Sequence, residues 1–443
     1  MAIIYNGLMS LYLFASKISG SFSPKAQKFY KSRRNLLKQI KEETKDTASV
    51  SKGNRYWFHC ASAGEFEQAR PLIESIKENT PSAFIVVTFF SPSGYELRKD
   101  YSLANHVFYL PMDNSSNVRQ FLDCIRPDHA IFIKYEFWYN YLKNLNKRGI
   151  PVYLVSANFM KTQPFFKWWG FFFRRMLRYF THIFVQDVGS EELLAEIGIS
   201  NVSVAGDTRF DRVSKVAQSK RVIPELEVFT HKVDGAAKST DNSFVACLVA
   251  GSTWPEDEEM LHHFLGRFGE TSHGKLKVVI APHETGKEHI DRLELLFQNY
   301  KVVKFSKVEG KHNQDDQKRE IEDADLFIID KVGFLSYAYH YGNFAYVGGG
   351  FGAGIHNTLE PVASGLPVVF GPRHQKFIEA YGLLSCGAGF AISNLKGYMP
   401  GKVDIMNILA VNEKFRSEAS EYGLWYIGKN KGATNNILKK IAP

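Results

Sequence analysis

The sequence predicts an α/β protein built from two doubly wound domains facing a cleft, and three observations lead there. Its 443 residues are 44% hydrophobic and 23% charged, with 34 Gly and 16 Pro, the composition of a folded body too long for one core. Short β-branched and aromatic runs alternate with helix-period segments, the rhythm of a parallel sheet covered on both faces. That rhythm breaks once, over a polar stretch at 214–242. Disorder and collagen are excluded by this composition. No uninterrupted apolar run of about 20 residues marks a polytopic membrane protein. Cys60, Cys124, Cys247 and Cys386 lie far apart, without the close pairs of a zinc or redox motif, and fit a reducing compartment.

In chain order, an N-terminal arm comes first, over 1–45. The formal charge of +9 suggests a nucleic-acid partner until its distribution is counted. Eight Lys or Arg and no acid fall within residues 1–41, and removing those eight from the 55 basic residues leaves 47 against 46 acidic. The body is nearly neutral, so no nucleic-acid partner is expected. Ahead of the basic residues lies an apolar stretch at 2–15, interrupted by Asn6, Gly7 and Ser10. The first cation, Lys17, follows this stretch, the reverse of a cleaved signal peptide, so export is not expected. About 15 residues of helix reach about 22 Å, short of a hydrocarbon core of about 30 Å. Insertion into one leaflet with the cations against anionic lipid is one reading, and a helix packed on the protein's own core is the other. A second patch, 165–180, holds nine aromatics among sixteen residues, with Lys167, Arg174, Arg175 and Arg178 interleaved, and also suits a membrane interface.

Strands are expected at 57–60, 84–90, 107–110, 130–134, 152–156, 183–186 and 202–205, forming a domain over 46–212. A linker is expected at 213–242. Strands resume at 244–250, 277–281, 302–305, 326–330, 344–347 and 367–370, within a second domain over 243–443 that ends in a helical tail. In such sheets ligands bind at the carboxyl ends of the strands, so three strand-to-helix turns draw notice. The first, His59-Cys60-Ala61-Ser62-Ala63-Gly64-Glu65, places Glu65 in the first turn of a helix. There it either complements the macrodipole or serves as a general base. The second, Ala250-Gly251-Ser252-Thr253, precedes an acidic helix start; Ser252 and Thr253 suit either an oxyanion or ordinary capping. The third carries five glycines within 348–354 and runs into His356-Asn357-Thr358-Leu359-Glu360-Pro361. Its glycines permit close ligand approach, and Glu360 could accept from ribose hydroxyls. No Gly-Lys-Ser/Thr closes it, so it is not a P-loop.

These residues resemble, in order and over nearly the whole chain, the 3-deoxy-D-manno-octulosonic acid (Kdo) transferases of lipopolysaccharide assembly. The matching motifs are SAGEFEQARPLIE, Glu136-Phe137-Trp138, Gly206-Asp207-Thr208-Arg209-Phe210-Asp211, Ala250 to Thr253, Ile280-Ala281-Pro282-His283, Asp330 with Gly333, and His356 to Pro361. The resemblance implies a GT-B fold of two Rossmann-like domains and an inverting glycosyltransferase at the cytoplasmic face of the inner membrane. The donor would be CMP-Kdo and the acceptor the lipid A precursor, with no cofactor and no metal. It implies Glu65 as the base that activates the acceptor hydroxyl. It implies nucleotide contacts from Pro282, His283, Val332, Gly333, Phe334, Asn357, Thr358, Leu359 and Glu360, and a substrate cleft lined by Glu136 and Arg209. The chain departs from the family's usual residues at Asp207 and Arg209, commonly Asn and Lys, and at His283, commonly preceded by Arg. Two other readings share some features: a GT-B transferase or epimerase using a UDP-sugar, and a non-catalytic lipid-binding protein.

Overall fold

The computed structural model describes residues 2–19, 24–45, 53–219, 221–231, 244–271, 275–312, 314–397, 399 and 403–441. The chain divides into two compact units, residues 1–212 with 430–443, and residues 213–429. Of the expected linker, residues 220 and 232–242 lie outside the described residues, and the rest holds a helix at Pro224–Thr230.

In the first unit β1 (Arg55–Cys60), β2 (Phe84–Phe89), β3 (His106–Tyr109), β4 (His129–Ile133), β5 (Val152–Ala157), β6 (His182–Val185) and β7 (Val202–Val204) form one parallel sheet in the order 3-2-1-4-5-6-7. Helices cover both faces, so central strands are buried on both sides and read as continuous apolar runs rather than alternating ones. Trp57 of β1 shows the consequence, with the rings of Phe121, Phe132 and Tyr141 all 5.1–5.3 Å from its own. The strand order reverses between β1 and β4, where doubly wound sheets open a crevice.

In the second unit β8 (Phe244–Thr253), β9 (Lys275–Pro282), β10 (Val302–Lys304), β11 (Leu326–Ile328), β12 (Phe344–Val347), β13 (Val368–Phe370) and β14 (Gly389–Ala391) make another parallel sheet, in the order 10-11-9-8-12-13-14. Its reversal lies between β8 and β12. The strand β14 was not among the expected ones, because Gly-Phe-Ala carries no β-branched residue and only three residues pair.

Four helices open the first unit: α1 (Ala2–Ser19), α2 (Pro24–Lys31), α3 (Leu36–Thr44) and, after β1, α4 (Ala63–Asn79). Helix α1 docks on the body. The Tyr5 hydroxyl donates to Asp113 Oδ2 at 2.6 Å, and the Tyr5 ring meets Tyr139 and Phe172. Burial pushes the Asp113 carboxyl up to about 6, and Tyr5, Asn140 and Tyr141 donate to it. The outer face of α1 leaves Ile3, Ile4, Leu8 and Leu11 60–87% exposed. Packing on the protein's own core thus accounts for the inner face of α1 and leaves the outer face apolar and exposed. No helix among the described residues is long and apolar enough to cross a membrane.

The aromatic patch divides in the same way. Phe165, Met176, Leu177 and Phe180 are core residues, whereas Trp168 is 90% exposed beside exposed Phe171. Arg174, expected as a snorkelling cation, instead donates to the carbonyls of Phe165 and Lys167 and closes the turn between them.

The helix Ala433–Ile441 corrects the expected boundary. It belongs to the first unit, not to the second domain that the sequence division extended to 443. Asp211 accepts from the amides of Gly432 (2.6 Å) and Thr434 (2.7 Å) at its N-terminus, and Ile437 and Ile441 enter the core beside Phe58 and Ile73.

Candidate active site

In the first unit, Glu65 is the third residue of α4, and its Oε2 accepts from the Ser62 amide (2.6 Å) and the Ser62 hydroxyl (2.8 Å). A serine followed three residues later by glutamate is a capping pair, and the buried stripe Phe66, Ala69, Leu72, Ile73 and Ile76 fixes the helix behind it. Glu65 is half-buried, and its Oε1 has no protein hydrogen bond among the described residues. Capping thus occupies one oxygen and leaves the other.

The neighbouring loop, after β4, carries Glu136 beside this turn at the sheet's reversal point. Glu136 Oε2 accepts from Trp138 Nε1 at 2.6 Å and lies 2.9 Å from Nε2 of the fully buried His59. On the other side, His59 Nδ1 is 2.9 Å from Thr88 Oγ1, to which Trp57 Nε1 donates. Nδ1 also lies 3.2 Å from the Thr88 carbonyl, and Trp138 Nε1 approaches Nε2 at 3.1 Å, so both ring nitrogens sit inside a closed polar network. Burial pushes the Cys60 thiol far up, and the charges of Glu65, Glu136 and Glu67 push it further, a measure of how much negative charge gathers at the end of β1.

Asp207 and Arg209 form a closed pair. Arg209 reaches Asp207 Oδ2 through Nε (2.9 Å) and a terminal nitrogen (2.7 Å), while Gln68 and Gln186 donate to the same carboxylate. Burial opposes ionisation of Asp207, but the Arg209 guanidinium outweighs it and holds the carboxyl below its ordinary range.

In the second unit the turns after β8, β9 and β12 meet at the carboxyl edge. The rings of Trp254, His283 and His356 stack at 4.6 and 4.5 Å, and Trp254 Nε1 donates to His356 Nε2 at 3.0 Å. The His356 proton therefore sits on Nδ1. Burial, and then His283, pull its pKa down to about 4, so it stays neutral. Asp257 ties the glycine-rich bend to the helix Pro255–Thr271, accepting from the amides of Gly349 (2.8 Å) and Trp254 (2.9 Å) and from the Tyr346 hydroxyl (2.6 Å). Glu360 accepts from Asn357 (3.0 Å) and from Ser336 (2.7 Å), which joins the 357–360 turn to the segment after Val332-Gly333-Phe334. A cavity of about 1170 Å³ opens beside Phe351 of the bend, lined also by Arg267 and Lys396.

Against this geometry stand the comparisons. A family model described as 3-deoxy-D-manno-octulosonic-acid transferase (kdotransferase) matches residues 24–212. The 3-deoxy-D-manno-octulosonic acid transferase of Chlamydia trachomatis serovar A is 28% identical over 401 residues, 87% of this chain and 86% of that protein. Its namesake from Rickettsia prowazekii is 27% identical over 357 residues, 79% of this chain and 72% of the relative. Model and relatives together support the Kdo transferase family, a family of glycosyltransferases. Solved structures agree on the fold: a UDP-GlcNAc 2-epimerase from Neisseria meningitidis (TM-score 0.55, 13% identity, 87% of this chain and 98% of that one) and MurG from Acinetobacter baumannii (0.54, 12%, 88% and 99%). At such identity they speak for the GT-B architecture alone.

The expected site residues divide by unit. Glu65, Glu136 and Arg209 all lie in the first, and the expected nucleotide residues all lie in the second. Several turn inward. Thr253 is buried and donates to Glu258 at 3.1 Å, which leaves Ser252, at φ +53°, as the half-exposed hydroxyl of its turn. Pro282, Thr358 and Leu359 are buried, and the Leu359 amide is taken by Asn357. Arg209 pairs with Asp207.

The glycine-rich bend turns most of its amides toward the protein itself. The amides of Gly348, Gly349, Gly352 and Gly354 all have protein acceptors. A Cβ on Gly348 would sit 2.3 Å from the Ser252 carbonyl, and one on Gly350 would sit 2.5 Å from Gly371 Cα. These two glycines are required by backbone packing. His59, Trp254, Asp257 and His356 were not among the expected site residues. The signal for them was positional, since each stands at the carboxyl end of a strand or in the turn that follows it.

Proposed function

We propose that the chain transfers Kdo from CMP-Kdo to a hydroxyl of a lipid A precursor at the cytoplasmic face of the inner membrane, with Glu65 as the general base. The observation that carries this reading is the half-capped carboxylate. Oε2 is fixed by Ser62 while Oε1 remains open at the reversal point of the sheet, where ligands of doubly wound domains bind. A carboxylate oxygen left open in that place can accept a proton from a hydroxyl.

In the proposed step Oε1 takes the acceptor's hydroxyl proton as the oxygen attacks the anomeric carbon. The bond from that carbon to the CMP phosphate breaks, the electron pair leaves with CMP, and the centre inverts. Glu136 and Trp138 border the acceptor side, and His59 holds Glu136 in place. On the donor side, the stack of Trp254, His283 and His356 offers a flat surface and the Nδ1 proton of His356 to the nucleotide. Exposed Ile3, Ile4, Leu8 and Trp168 are the surface we assign to the membrane.

The test is incubation of the purified protein with CMP-Kdo and tetraacylated lipid A precursor, read by the mass of the lipid. Addition of Kdo is the expected result. No gain in mass from a folded protein that UDP protects thermally better than CMP would replace this reading by one with a UDP-sugar donor.

A further inference from the structure

We propose that the pocket between α2, α3 and the loop after β3 binds a phosphate monoester carried by a lipid. The cavity measures about 380 Å³, and its lining includes three cations, Arg33, Arg34 and Lys38, and no acidic residue. Arg33 has no carboxylate partner among the described residues. Its guanidinium donates to the carbonyls of Leu110 (3.2 Å), Phe29 (3.2 Å) and Phe90 (2.5 Å) and lies 3.9 Å from the Phe29 ring centroid. Burial pulls its pKa down to about 10, the mark of a cation short of compensating negative charge.

Independently of these side chains, the same cavity takes in the first turn of α3, Leu36 to Lys38. Those amides have no intrahelical acceptor. Asn35, at the cap position, makes no side-chain cap bond, and the first turn holds no acid. Amides, a helix dipole and three cations therefore converge on a volume that the chain itself supplies with no anion. A dianionic phosphate monoester matches them better than a diester, which offers fewer charges and fewer free oxygens.

The remaining lining points to a lipid rather than a soluble phosphate. Phe29, Leu36, Leu37, Pro111 and Met112 are apolar, and Phe29 abuts Tyr12 of α1, whose exposed face carries Leu8 and Leu11. A headgroup in the pocket would leave its chains along that face. The pocket sits at the carboxyl edge of the first sheet, two strands or roughly 10 Å from the end of β1. The inference stands apart from the transfer reaction and is tested without it.

The experiment is co-flotation of the full chain with phosphatidylcholine vesicles containing either phosphatidic acid or phosphatidylglycerol. Two double variants of equal charge are compared: Arg34→Ala with Lys38→Ala in the pocket, and Lys41→Ala with Lys45→Ala outside it. The pocket variant is expected to lose its preference for phosphatidic acid by about tenfold or more, and the control to keep it. Equal weakening of both would make the attraction diffuse and overturn the proposal, as would no weakening of either. Inorganic phosphate separates the sources. Displacement of the wild-type chain from vesicles supports a phosphate site that lipid occupies. Thermal stabilisation by inorganic phosphate without displacement would assign the pocket to a soluble phosphate and remove the lipid.

Discussion

The reversal points of the two sheets are alike in topology and opposite in chemistry. At the first, between β1 and β4, carboxylates crowd together and each is part-satisfied: Glu65 by Ser62, Glu136 by His59 and Trp138, with Asp207 sealed by Arg209 nearby. At the second, between β8 and β12, the carboxylate of Asp257 is spent on backbone amides and Tyr346, and what faces outward is a stack of the rings of Trp254, His283 and His356. The same scaffold thus gathers carboxylates in one unit and a flat stack of rings in the other. Which chemistry occupies a reversal point is decided by a few turn residues, not by the sheet.

Five substitutions break or sharpen that contrast. The largest effect is expected from Glu65→Gln. Glutamine keeps the capping pair, so the melting temperature should barely move, while transfer should fall by about 10²- to 10⁴-fold. A large loss of stability with proportionate activity would mean that Glu65 only caps its helix.

His59→Ala comes next. It leaves the buried Glu136 carboxylate without its imidazole partner and should cost about 3 kcal/mol in denaturant unfolding. The corresponding change in the other unit, His283→Ala, removes one exposed ring of a stack and should cost about 1 kcal/mol. Equal costs would erase the distinction between a buried polar network and an exposed ring stack.

Gly350→Ala tests whether the glycine-rich bend is packing or cradle. The added methyl meets Gly371 at 2.5 Å, so about 2 kcal/mol of stability should be lost even in the absence of nucleotide. Unchanged stability with weakened CMP binding would return the bend to the role of ligand contact.

The smallest effect is in pH dependence, where the units differ in sign. His356 has its pKa depressed in the folded chain, so its stabilising contribution is present above about 6.5 and lost as pH falls toward about 4. Asp113 has its pKa raised, so its contribution is full below about 3.9 and lost as pH rises through about 6. Amide exchange, corrected for intrinsic rates, should show the turn at His356 loosening on acidification while the α1 dock at Asp113 tightens. His356→Asn should abolish the first trend and leave the second.

Much of the fold was legible because doubly buried parallel strands are written as unbroken apolar runs. The runs at 57–60 and 344–347 fall within β1 and β12, and Glu65 stood out because a helical period begins at Phe66. Strand β14 escaped because its pairing comes from the backbone of Gly389 and Ala391, which have no side-chain preference to display. The inward turn of Thr253 escaped because its partner, Glu258, is read from sequence as an exposed acid at a helix start. His59 escaped for a related reason. A histidine inside an apolar strand reveals its use only when Glu136, seventy-seven residues later, is folded against it.

The return of residues 433–441 to the first unit sets an order on synthesis. Asp211 cannot find the amides of Gly432 and Thr434, nor the core its Ile437 and Ile441, until the whole second unit has been translated. Until then the half that bears Glu65 carries an open apolar groove, so a fragment ending at residue 212 should aggregate where the full chain does not. The unit that begins the chain is finished last.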